Sequence, residues 1–117
     1  MIDHVSVAVS DLAAAARFYE TTLAPLGYAK LEDRPATVGF GKRYAEFWIN
    51  LRPSSFLLAP SSGAHVALRA ASTAAVDGFH AAALISVSWP ILTFTTAVVS
   101  VSLPLPLRPR CSTFTSK

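Results

Sequence analysis

The N-terminal segment alternates apolar and other side chains with the two-residue period of a β-strand. The valines of Val5–Val9 fall on one face, and His4 begins the opposite face. A polar stop at Ser10-Asp11 can cap a following helix. In that helix the apolar residues recur at steps of three and four and share one face, namely Leu12, Ala16, Tyr19, Leu23 and Leu26. The pattern predicts a strand whose valine face is covered by an amphipathic helix.

Three further short strands are predicted after this helix, which Pro25 and Gly27 end. Turn-forming residues separate the three, whose bounds are Tyr28–Asp33, Thr37–Phe40 and Tyr44–Asn50. The order of elements is βαβββ, and we assign this first module to residues 1–57. A stretch rich in Pro and Ser follows it as a linker.

A second copy of the pattern begins at about residue 63. Its opening Ala64-His65-Val66-Ala67-Leu68 superimposes on Asp3-His4-Val5-Ser6-Val7. The copy predicts a strand and a helix over 63–84, followed by an atypical apolar tail, rich in Pro, Ser and Thr, over 85–117. From Phe79 onward the chain has no Gly, Asn, Asp or Glu, so the usual residues of tight hairpin turns are missing. We therefore expect a single α+β domain of paired βαβββ modules, in which the second module is incomplete.

Charge excludes one class of partner. Residues 1–83 carry seven Lys/Arg and seven Asp/Glu, whereas residues 84–117 carry three basic residues and no acid. Because phosphate binding needs clustered cations, the equal numbers of basic and acidic residues over 1–83 give no reason to expect a nucleic-acid partner. The single cysteine, Cys111, has no mate for a disulfide, which favours a reducing, cytoplasmic location.

Three side chains form a candidate metal site. Strand alternation places His4 and His65 at equivalent positions on the faces opposite the helices, and Glu46 on the corresponding face of its own strand. Two imidazoles and a carboxylate suit Zn²⁺, Fe²⁺, Mn²⁺, Ni²⁺ or Co²⁺, with coordination positions left for water or substrate. His4 and Glu46 also have alternative roles that involve no metal. His4 can be an ordinary polar residue at a strand edge. Glu46 can form a surface ion pair with Lys42 or Arg43, which is worth at most about 1 kcal/mol.

These residues and motifs resemble the vicinal oxygen chelate superfamily, which includes glyoxalase I, extradiol dioxygenases and bleomycin-resistance proteins. The resemblance is carried by the two βαβββ openings and by Ala-Glu-Phe-Trp-Ile, and it covers about residues 1–84. It implies a cupped mixed β-sheet, a homodimer, and metal ligands at His4, Glu46 and His65. The family's fourth ligand is normally a Glu on the last strand, and no acidic residue follows Asp77 in this chain. The repeat offset carries Glu46 onto Leu107.

Several functions remain open at this point. The first is a metal-dependent enzyme of glyoxalase or dioxygenase type that acts on a small oxygen-bearing substrate, with no catalytic residue assigned. The second is a non-catalytic, bleomycin-resistance-like module that binds a small molecule in a pocket formed by Tyr44, Trp48 and Arg69. The third is an inactive, truncated family member. The uncharged stretch Gly78–Leu107 is long enough for a membrane span, but its prolines and hydroxyl side chains argue against one.

Overall fold

The computed structural model describes residues 3–52, 65–87 and 98–102. Their elements in chain order are β1 Val5–Val9, α1 Leu12–Leu23, a 3₁₀ turn Ala24–Leu26, β2 Ala29–Arg34, β3 Thr37–Gly41, β4 Ala45–Leu51, β5 His65–Arg69, α2 Thr73–Val87 and β6 Val98–Ser102. The strands form a four-stranded mixed sheet in the order β1-β4-β3-β2 and a two-stranded sheet of β5 and β6. The predicted α+β class is confirmed, and the four-stranded sheet is open rather than closed into a barrel.

The first module has the predicted βαβββ order. The strand β1 runs parallel to β4, while β2, β3 and β4 are joined as antiparallel neighbours. Each strand begins and ends within about one residue of its predicted bounds. The predicted and observed bounds agree because Pro, Gly and charged residues separate the strands in the sequence.

The helix α1 begins at the predicted polar stop. Asp11 is its N-cap, and its carboxylate accepts a hydrogen bond of 2.9 Å from the backbone N–H of Ala14. After the 3₁₀ turn, Gly27 adopts a left-handed conformation with φ of 82°, which a residue without a Cβ adopts at little cost. The chain can thus turn sharply from the helix into β2.

One hydrophobic core lies between α1 and the four-stranded sheet. Phe40, Phe47 and Ile49 are fully buried on the helix-facing side of the sheet. The Tyr19 ring from α1 lies 4.9 Å, centroid to centroid, from the Phe47 ring. This core fixes which face of the sheet remains open.

The second module joins the same core. Leu68 of β5 is buried, and Phe79 of α2 packs against the cluster, as α2 lies across α1 and the 3₁₀ turn. The hydroxyl of Ser72 accepts a 3.2 Å hydrogen bond from the N–H of Ala75, so the second predicted stop also caps its helix.

Beyond residue 84, where the sequence predicted an atypical tail, the structure contains the end of a helix and one strand. The helix α2 continues to Val87, and β6 pairs in parallel with β5. Leu107, to which the repeat offset pointed, lies outside the described residues, as do the linker and Cys111. In the described part of the chain, no helix has the length and hydropathy needed to cross a bilayer.

Candidate functional site

The four-stranded sheet has one face turned away from α1, which we call the open face. Alternation along β1 and β4 sends Val7 and Ile49 into the core and leaves Ser6 and Trp48 on the other side. Register extends this face across β3 and β2, because Trp48 pairs with Gly39 and Gly39 pairs with Glu32. The open face comprises Ser6, Ala8, Glu32, Arg34, Thr37, Gly39, Trp48 and Asn50. Ala45 joins this face, because a Cβ on Gly39 would lie 2.8 Å from the Ala45 Cβ, and alternation is broken by the bulge at Glu46.

His4 and Glu46 precede the first paired residues of β1 and β4. The parallel pairing of β1 with β4 starts at Val5 and Phe47, and each candidate ligand immediately precedes one of these partners. Because paired strands lie about 4.8 Å apart, the same register continued by one residue would bring the two backbone positions next to each other. The predicted ligands His4 and Glu46 thus lie at the same end of two neighbouring strands.

Each member of this pair has a polar partner of its own. The imidazole Nδ1 of His4 lies 3.1 Å from the carboxylate of Asp3, and the histidine side chain is 56% exposed. The Nδ1 contact directs Nε2 away from Asp3. Glu46 is half-buried, and its carboxylate is close enough to the Tyr28 hydroxyl to raise the pKa of that hydroxyl.

Tyr28 is a site residue that the sequence reasoning missed. Burial raises the pKa of Tyr28, and the negative charge and hydrogen bond of Glu46 raise it further. The ammonium of Lys42 lies 5.3 Å from the centroid of the Tyr28 ring. Tyr28 starts a predicted strand, and nothing in its spacing from Glu46 signals the contact, because β3 lies between β2 and β4.

His65 lies on the other sheet. It begins β5, and the exposure pattern leaves His65, Ala67 and Arg69 outside while Val66 and Leu68 turn to the core, as alternation predicts. Within residues 3–52, 65–87 and 98–102, no three His, Cys, Asp or Glu side chains come close enough together to hold a metal ion. His4, Glu46 and His65 are thus not gathered into one three-donor cluster in this structure.

The middle of the open face is occupied by the Trp48 indole. Its Nε1 donates a 3.0 Å hydrogen bond to the carbonyl of Ala45. A Cβ on Gly39 would lie 3.0 Å from the indole carbons, so the absence of a side chain there lets the ring lie against β3. The half-buried ring is consequently held in one place on the open face.

Arg34 covers part of this ring. Its guanidinium carbon lies 5.8 Å from the Trp48 ring centroid, within the range of a cation–π contact. Glu32 holds the guanidinium through Nε at 3.3 Å and Nη2 at 3.2 Å. Arg34 was not among the residues predicted for the site, although the alternation of Glu32 and Arg34 along β2 could have placed both on the face shared with Trp48.

Hydroxyl and amide groups close the far end of the open face. The Thr37 hydroxyl donates to the side-chain oxygen of Asn50 at 2.5 Å and lies 3.0 Å from the carbonyl of Ile49. These polar groups are hydrogen-bonded to one another across β3 and β4. They add a polar margin beside the aromatic surface of Trp48.

The other two predicted pocket residues lie elsewhere. Tyr44 is 55% exposed in the turn before β4, where its charge when ionised acts on Tyr28. Arg69 lies on β5, in the two-stranded sheet. The structure therefore puts Trp48 at the centre of the open face and Tyr44 and Arg69 outside it.

Comparisons with known proteins give solved structures only; no family model and no curated protein matches this sequence. A glyoxalase/bleomycin resistance protein from Albidiferax ferrireducens T118 matches with a TM-score of 0.63 and 25% identity over 72% of this chain and 69% of its own. A putative glyoxalase from Bacillus halodurans has a TM-score of 0.57 and 23% identity, with 80% of this chain and 73% of its own covered. A glyoxalase/bleomycin resistance protein/dioxygenase family enzyme from Burkholderia phytofirmans PsJN has a TM-score of 0.51 and 18% identity, with 73% and 72% covered.

Proposed function

We propose that this chain, which has the fold of the vicinal oxygen chelate superfamily, binds a divalent metal and a small oxygen-bearing molecule on the open face of its sheet. The observation that supports the proposal is the pairing of Val5 with Phe47 in β1 and β4, because His4 and Glu46 immediately precede these partners. An imidazole and a carboxylate on neighbouring strands are donors suited to a first-row divalent metal. The proposed activity is of the glyoxalase or dioxygenase type.

The partners of the two donors support this assignment. A ligating histidine usually engages a carboxylate, carbonyl or water through its other ring nitrogen, and a ligating carboxylate is itself hydrogen-bonded. Asp3 stands in that relation to His4, and Tyr28, whose pKa the Glu46 carboxylate raises, is the neighbouring hydroxyl for Glu46. We propose His65 as a third ligand, brought to the pair from the second module of the same chain or of a second copy in a homodimer.

The open face also has groups for an organic ligand. A bound metal supplies Lewis acidity that polarises the oxygens of such a ligand. Trp48 offers a fixed aromatic surface, and Arg34 offers donors for a carboxylate or carbonyl of the same ligand. Together these residues bind and orient the molecule next to the His4–Glu46 end.

Isothermal titration of the purified, metal-stripped protein with Zn²⁺, Mn²⁺ and Ni²⁺ tests the metal site. We expect binding by the unmodified chain, and weaker binding by roughly tenfold or more after His4→Ala, Glu46→Gln or His65→Ala, because each removes a proposed ligand. His80→Ala is the matched control, since His80 is an exposed histidine on α2. Equal loss in the His80 variant, or no effect in the other three, contradicts the metal proposal.

A second candidate is a metal-independent binding module. It is favoured by the lack of a three-donor group in the described part of the chain and by the Arg34–Trp48 contact at the centre of the open face. Its ligand is a flat, oxygen-bearing molecule that stacks on the indole.

Thermal unfolding with a panel of aromatic carboxylates and phenols, run with and without EDTA, separates the candidates. The module predicts a rise in melting temperature that EDTA leaves unchanged and that Trp48→Ala or Arg34→Ala abolishes. Arg43→Ala is the control, because Arg43 is an exposed arginine in the turn before β4. Stabilisation that EDTA removes supports the metal site instead.

A further inference from the structure

We infer that Val98 occupies, in the second module, the position that Glu46 holds in the first, so that the second module retains the histidine of a repeated histidine–carboxylate pair and lacks its carboxylate. The inference extends the proposed metal site to the second module and rests on that proposal only for the chemistry of the pair. The position itself follows from strand pairing.

The two modules place an equivalent strand beside their opening strand. In the first, β1 runs parallel to β4, and in the second, β5 runs parallel to β6. No other described strands pair in parallel. The strand β6 is therefore the counterpart of β4, although it follows its helix much sooner along the chain than β4 follows α1.

Register then assigns the residues one by one. Val5 pairs with Phe47 in the first module, and its repeat mate Val66 pairs with Val99 in the second. His65, one residue before Val66, pairs with Val98. The corresponding step before Val5 and Phe47 leads to His4 and Glu46. A constant sequence offset pointed to Leu107 because it assumed equal spacing between the two strands, and the register shows that the spacing differs.

The replacement has a direct chemical consequence. Valine has no donor atom for a metal, whereas a carboxylate at this position would give the second module the same imidazole and oxygen ligands as the first. The first module therefore provides two proposed donors, His4 and Glu46. In the second module, His65 is the donor of the His65–Val98 pair. A single substitution would restore the symmetry.

Metal titration of Val98→Glu in a His4→Ala, Glu46→Gln background isolates the second module. We expect Zn²⁺ affinity to rise by roughly tenfold or more over the background, because a charged ligand is added beside an imidazole. Val98→Gln controls for shape, and Val99→Glu places the same charge one register position away. A folded Val98→Glu variant that binds no better than either control overturns the inference.

A cross-linking experiment tests the position of Val98 beside His65 without metal. It still tests the inference if the Val98→Glu variant does not fold. Neighbouring positions of a parallel pair lie within the span of a disulfide. In a Cys111→Ser background, His65→Cys with Val98→Cys should form an intramolecular disulfide under mild oxidation, and faster than His65→Cys with Val99→Cys. Equal or faster linkage through position 99 overturns the inference.

The outcomes also separate this inference from the proposed function. If the unmodified chain binds no metal but Val98→Glu does, the proposed function fails and the inference stands. If the unmodified chain binds metal through His4 and Glu46 but position 98 neither cross-links nor adds affinity, the inference fails alone.

Discussion

Glu46 owes its surroundings to contacts that span three strands. Its bulged position, between the Phe40–Phe47 and Gly41–Ala45 pairs, interrupts the β3–β4 ladder. The hydroxyl of Tyr28, which precedes β2, reaches its carboxylate from the far side of β3. A half-buried carboxylate held in this way is preorganised to accept a cation or a hydrogen-bond donor from a ligand.

The contact between Tyr28 and Glu46 predicts a measurable change in acidity. Glu46→Gln should lower the pKa of Tyr28, because the negative charge that opposes formation of the tyrosinate is removed. The pKa should stay above the ordinary value of 10.0, since burial is the larger cause of the shift. A pH titration of the tyrosine ζ-carbon by NMR measures it.

Glu32→Gln serves as the control for that titration, because Glu32 bonds to Arg34 rather than to Tyr28. A Tyr28 pKa that is unchanged by Glu46→Gln, or that falls as far with Glu32→Gln, contradicts the assigned contact.

At the residue scale, alternation alone predicted which side chains face away from the helices. Trp48 was assigned the correct face, since Phe47 and Ile49 on either side of it are buried in the core. The bulge at Glu46 breaks the alternation, so that Ala45, predicted on the helix side, lies beside Gly39 on the face of Trp48. Contacts between side chains on different strands could not be predicted in the same way. Tyr28 with Glu46 and Arg34 with Trp48 depend on strand order and bulges, which no local pattern encodes.

At the scale of elements, the helix α1 sets the position of the open face by covering the other one. Its buried residues Tyr19 and Leu23 pack on Phe40 and Phe47, and its start is fixed by the Asp11 cap. A helix of this length depends on packing and caps, because isolated helices shorter than about 12–15 residues are marginal in water.

Removing that cap should destabilise the protein by a small, defined amount. Asp11→Ala is expected to lower the free energy of unfolding by about 1 kcal/mol, because the N–H of Ala14 loses its side-chain acceptor. Asp11→Asn keeps an acceptor and should cost much less. Urea denaturation followed by circular dichroism provides the measurement, and equal losses in the two variants would contradict the capping role.

The elements of the first module were predictable, and those after residue 84 were only partly so. Helical and strand periods, with Asp11 and Gly27 as boundaries, determined α1 and β2–β4 closely. In the second module Ser72 marked the start of α2, and Pro90 lies three residues beyond its end at Val87, but β6 lies in a stretch of apolar and hydroxyl residues without Gly, Asn or Asp. The pairing of β6 with β5 is a long-range contact that only the folded chain reveals.

At the scale of the whole molecule, the two modules share a core but not equal chemistry. The first supplies an open face of four strands, and His4 and Glu46 immediately precede the paired residues Val5 and Phe47 at one end of its sheet. The second supplies His65 beside Val98. The internal repeat predicted the shared architecture and the equivalence of the histidines, and the difference between the modules accounts for the missing acidic ligand.

A Mn²⁺ titration of ¹⁵N-labelled protein, followed by the paramagnetic broadening of assigned amide signals, tests the proposed metal site at His4 and Glu46. We expect the amides around these two residues to broaden first, at metal concentrations well below those of the protein, and His4→Ala with Glu46→Gln to abolish this selectivity. Broadening that is uniform over the surface, or that centres on another site such as Asp77 and His80 of α2, would contradict it.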